Sequence, residues 1–131
     1  MKIASTIARY LLGLIFLVFG LNGFLHFIPM PPPGGIAGQF LGALFVSHYL
    51  VPIFLLQVIP AILLLINRFV PLALTLLAPI IVNIVLFHAL MAPEGLPMAV
   101  VVTVLWIVAA YGVRKAFAGL LQARVPAESR A

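Results

Sequence analysis

Nineteen consecutive residues without a formal charge, Tyr10 to Ile28 (YLLGLIFLVFGLNGFLHFI), follow Arg9 near the start of the chain. At about 1.5 Å rise per residue, a helix of that length spans most of the roughly 30 Å hydrocarbon core of a bilayer. Lipid offers no hydrogen bonds to a backbone, and a helix pairs its own N–H and C=O groups within one segment. Counted from Arg9, Asn22 lies about 20 Å along such a helix and His26 about 25 Å along it. The run therefore carries two hydrogen-bonding side chains toward its far end.

Composition extends that reading to the whole chain. Of 131 residues, 66% are hydrophobic and 7% are charged, against about 45–50% and about 25% in ordinary soluble domains. The net charge of +5 comes from seven basic and two acidic residues. The bases flank apolar segments and form no face with interleaved aromatics, which fits membrane topology and argues against nucleic acid. The absence of cysteine excludes a disulfide framework, a thiol relay and Cys-ligated metal. The first apolar run is longer than the roughly 7–15 residues of a signal peptide. It leaves through Phe27-Ile28-Pro29, so a retained span is expected.

Four spans are expected, at 10–28, 48–66, 70–90 and 97–113, in one all-α membrane domain with a tail over 114–131. Pro29-Met30-Pro31-Pro32-Pro33 forbids helix and favours an extended segment. Gln39 to Ser47 (QFLGALFVS) is too short to cross and reads as an interfacial helix before the second span. Asn67-Arg68-Phe69-Val70-Pro71 predicts a tight turn, with Asn67 as N-cap and Pro71 in the first turn of the third span. Pro60 and Pro79 fall inside spans, where each removes a helix donor. Residues 116–124 (AFAGLLQAR) are expected to continue as an amphipathic surface helix, with a polar, disordered end beyond Pro126.

In this arrangement Lys2, Arg9, Arg68, Arg114, Lys115, Arg124 and Arg130 all fall on one side, while Glu94 and the proline-rich loop fall on the other. The positive-inside rule then places both termini in the cytoplasm. A weak repeat runs through the chain. Arg9-Tyr10 precedes Asn22 and His26, and Arg68-Phe69 precedes Asn83 and His88, as in two parallel-related hairpins.

The segments FLVFGLNGFLHF, the proline-glycine loop before FLGAL, NRFVPLAL, API-IVNIVLFH and APEGLP together resemble DoxX-like four-span membrane proteins. The resemblance covers roughly residues 8–118, with the order of segments kept. It implies a protein of the bacterial cytoplasmic membrane, in some members linked to quinone-dependent sulfur oxidation or redox-stress complexes. Many members carry an acidic residue in the second span. Gln57 stands at that place here, and an amide cannot carry a proton.

Asn22 and His26, four residues apart, share a helix face, and Gly13 and Gly20 lie roughly opposite, where close helix contact is expected. Gln57 and Trp106 sit near mid-span. A tryptophan at that depth needs a partner for its indole N–H or stands against a ligand. With Asn83 and Thr103, these side chains are candidates to line a pocket in the outer half of the bundle. The alternative is that they only bond helices together. His26, His48 and His88 are weak candidates for a metal. Asn83 and His88, about 140° apart around a helix, do not share a face, which argues against a bis-histidine haem. The only acids are Glu94 and Glu128, so no self-contained catalytic set of the hydrolase kind exists, and no Gly-rich strand–helix turn marks a nucleotide site. Two functions follow: a redox-associated subunit binding quinone or a similar lipophile, or a non-enzymatic scaffold or assembly subunit. Its partners would be lipid, a membrane complex or a second copy.

Overall fold

Proline, glycine and left-handed residues set where each helix starts and stops. In the computed structural model, which describes residues 2–128, α1 spans Lys2–Leu25, α2 Gly35–Val46, α3 Leu50–Leu65, α4 Val70–Leu90 and α5 Leu96–Gly112. Short 3-10 helices follow at Pro93–Gly95 and Arg114–Leu121. Helix α4 coincides with the expected third span. Helix α1 starts eight residues before expectation because nothing between Lys2 and Arg9 breaks a helix. It stops three residues early because His26 adopts a left-handed backbone (φ 53°). Helix α2 begins at Gly35, four residues before the expected start. The expected helix after α5 is a 3-10 helix, Arg114–Leu121, that ends three residues before Arg124. The expected disorder at residues 129–131, and the placement of Arg130, lie outside the described residues.

Two helix ends show how the turns close. The N–H of His26 donates to the carbonyl of Asn22 (2.9 Å), the five-to-one bond of a left-handed C-terminal cap. At the end of α3, Asn67 has φ 56° and the N–H of Arg68 donates to the carbonyl of Leu63 (3.0 Å), a six-to-one Schellman closure. Asn67 thus ends α3 and does not cap α4. The N-cap of α4 is Phe69, with φ 51° and no side-chain bond. Pro71, lacking an N–H, leaves one orphan donor fewer to satisfy.

Helices α1, α3, α4 and α5 pack in a ring, α1 on α3 and α5, and α4 on α3 and α5. Neighbours run antiparallel. A Cβ on Gly13 would touch Leu65 and Ala61, one on Gly20 Val58 and Gln57, and one on Gly23 Phe54, so residue numbers rise along α1 as they fall along α3. The glycine face is therefore occupied inside the chain. The core joins small residues to larger ones, among them Ala8, Leu12, Ala61, Leu64, Ala73, Leu74, Leu77 and Ala109. Small residues let helices approach closely where lipid supplies no hydrophobic drive between them. Helix α2 turns 87° from α3 and rests through buried Ala37 and through Phe40, whose ring lies 5.8 Å from that of Phe87.

The outside is as apolar as the inside. On α5, Val100, Val101, Val104 and Ile107 face outward while Ala99, Val102 and Ala109 are buried. Among the described residues, three helices are long and apolar enough to cross a membrane, or four if the bent α2–α3 pair counts as one span. Helix α3 alone, with 16 residues, reaches about 24 Å. Several long apolar helices with a continuous greasy exterior are compatible with an integral membrane protein. The antiparallel ring gathers Lys2, Arg9, Arg68, Arg114 and Lys115 at one end and sets Glu94 at the other. There Arg9 Nη1 donates to the carbonyl of Leu64, covering the end of α3 with a cation that also suits its dipole.

Candidate functional site

The polar side chains of the helices divide into those bonded within their own helix and those that are not. Thr6 donates to Lys2, Thr75 to Pro71, Asn83 to Pro79 and Thr103 to Ala99, each to the carbonyl four residues back. Such back-bonding satisfies a polar group without a partner helix. Asn83 is exposed on the outside of α4. The Trp106 indole reaches a backbone carbonyl of α4 instead of a ligand. These three candidates, Asn83, Thr103 and Trp106, do not join the others in one pocket.

Asn22, His26 and Gln57 do come together. They line a cleft of about 430 Å³ between α1 and α3, at the end that carries the proline-rich loop. Phe19, Phe54 and Leu50 form its walls, and Met30 and Phe45 close it from the loop and from α2. Phe24 and Phe54 stand edge to face at 6.0 Å beside it. Gly20 lets the helices meet here, since a Cβ would lie 2.8 Å from Val58 Cγ2 and 3.2 Å from Gln57 Cβ.

The three polar groups have different tasks. Asn22 is buried and accepts the N–H of Ile28 on Oδ1 (2.7 Å), while its Nδ2 approaches the Met30 sulfur (3.9 Å). It pins the start of the loop over the end of α1. His26 is exposed and sits at the left-handed residue that ends the helix. Gln57 is 8% exposed, and its amide makes no hydrogen bond to a described residue. Its amide atoms are not sealed off like the Ser5 hydroxyl; they open on the cleft. It offers one acceptor and two donors to a guest with a carbonyl or hydroxyl head.

Among the described residues no acid, lysine or arginine lines the cleft, so they suit a neutral molecule and offer no general acid or base beyond His26. His48 lies at the α2–α3 corner with φ 63°. The Nδ1 of His88 is 3.1 Å from the Ala92 carbonyl, where it braces the α4–α5 turn. Among the described residues no three His, Asp or Glu side chains gather as a metal site would require.

Sequence reasoning missed Phe54, Phe45 and Met30. Phe54 lies three residues before Gln57 and so on its helix face, a signal that was present. Phe45 and Met30 arrive only through the fold of the loop. No family model, curated protein or solved structure matches the chain.

Proposed function

We propose that the chain is a DoxX-like protein of the bacterial cytoplasmic membrane. It crosses the bilayer four times with both termini in the cytoplasm, and holds a quinone or another small lipophile in the α1–α3 cleft. The observation that carries this reading is Gln57, a residue buried at its stem whose amide bonds to no described residue and opens on an aromatic cleft of about 430 Å³. Polar groups that fix a mainly apolar guest are few and convergent in such sites. In this reading α2, nearly perpendicular to α3, is the interfacial helix, and the basic end of the ring faces the cytoplasm. The role is that of a redox-associated subunit that binds, and leaves chemistry to a partner in a membrane complex.

A second reading, a non-enzymatic scaffold or assembly subunit, is favoured by the bonding of Thr103 and Asn83 within their helices and of Trp106 between helices. Quinone content of protein purified in mild detergent separates the two. Near-stoichiometric quinone that is lost in Gln57→Leu supports the first reading, and a quinone-free wild type supports the second.

A further inference from the structure

A second cavity, about 800 Å³, opens at the basic end of the ring, between the start of α1 and the end of α5. Lys2, Arg9, Arg114 and Lys115 line it with Ser5, and no acidic side chain does among the described residues. Both arginines are already held. Arg9 donates to the Leu64 carbonyl and lies 4.3 Å over the Tyr10 ring. Arg114 donates to the Tyr111 carbonyl (2.9 Å) and lies 4.2 Å over that ring. A guanidinium has five N–H donors in a fixed fork, so each keeps most of its donors for a guest.

Ser5 supplies an independent observation. It is 8% exposed, and its Oγ is buried with no hydrogen-bond partner among the described residues. The next residue, Thr6, by contrast bonds back to Lys2. Gly112 faces this hydroxyl, and a Cβ there would lie 2.7 Å from it. A hydroxyl left unpaired among four cations is satisfied by an anion with several acceptor oxygens.

We propose that this cavity binds a phosphate-bearing anion, and that the phosphodiester of an anionic phospholipid is its source. The choice of source rests on the membrane-spanning reading, which sets this end of the ring at the level of the cytoplasmic headgroups. Basic pockets between membrane helices on that side take such headgroups. The two guanidinium forks match phosphate oxygens, the lysines add charge, and Ser5 donates from below.

The test is native mass spectrometry of the full chain in neutral detergent, supplied with phosphatidylglycerol or phosphatidylcholine, with inorganic phosphate as competitor. Retention of phosphatidylglycerol over phosphatidylcholine is expected, falling by roughly 30-fold in Arg114→Gln/Lys115→Gln, as for the loss of two surface cations. Arg9→Gln is the poorer probe because Arg9 also holds the end of α3. Ser5→Ala, which removes no bond, should weaken retention severalfold at an unchanged melting temperature. Displacement by inorganic phosphate without any lipid preference keeps the anion site and assigns it to soluble phosphate. Equal retention of both lipids and no effect of phosphate, in protein that melts normally, overturns the proposal. A chain that stays folded and monodisperse without detergent overturns the membrane reading instead.

Discussion

The indole N–H of Trp106 donates to the backbone carbonyl of Leu74 at 2.8 Å, joining α5 to α4 five residues before Pro79. A carbonyl oxygen has two lone pairs, so it can take this bond beside its helical one. Trp106→Phe keeps an aromatic ring, though a smaller one, and removes the donor. Thermal unfolding in detergent should show a loss of about 1 kcal/mol, the scale of hydrogen bonds between membrane helices. Quinone retention should not change, because Trp106 is outside the cleft.

Gln57→Leu should separate binding from folding. The substitution removes an amide that bonds to no described residue, so stability should hold within about 1 kcal/mol. Bound lipophile should disappear. A Gln57→Leu protein that retains its guest at the wild-type level would remove the amide from the site.

Asn22→Ala should do the opposite. It leaves the Ile28 N–H without its acceptor at 2.7 Å, a loss of about 1–2 kcal/mol. Faster proteolytic nicking within 29–34 would report the freed loop.

Gly95 and His88 are coupled. A Cβ at Gly95 would lie 2.1 Å from both Cε1 and Nδ1 of the His88 ring. Gly95→Ala should therefore cost about 1–3 kcal/mol, and His88→Ala should relieve most of that penalty. The interaction energy from a double-mutant cycle measures the contact.

His26 and His48 both have positive φ, and thermal unfolding of glycine variants measures what that backbone costs. Glycine relieves the left-handed strain but raises the entropy of the unfolded chain, so His26→Gly and His48→Gly should change stability by roughly 0–1 kcal/mol, in the stabilising direction. His26→Val should destabilise, because a β-branched residue fits that backbone poorly.

The helices themselves were legible because hydrophobic length and proline position are local properties. Val70-Pro71 and Leu96-Pro97 mark the starts of α4 and α5 within a residue. The inward face of each helix was not legible, since helices that are apolar all round carry little periodic signal. Asn83 shows the consequence. Its distance along the helix matches that of Asn22, yet it faces outward and satisfies itself on Pro79. Asn67 was misassigned because N-cap and left-handed C-terminal positions favour the same residue. Of the six site candidates, the three that converge lie on α1 and α3 or the junction just after α1, where the α1 glycines meet α3 side chains.

The Arg9–Leu64 contact joins residues 55 positions apart, and this separation bears on biogenesis. When the first helix leaves the ribosome, the carbonyl that its guanidinium will cover has yet to be translated. Until α3 is complete, that arginine has the neighbouring Tyr10 ring but not its carbonyl, and α1 waits unlocked. The latch between the two closes after the proline loop and α2 have been laid down, so a chain interrupted before Leu64 keeps the glycine contacts to Phe54 and Val58 but lacks this bond.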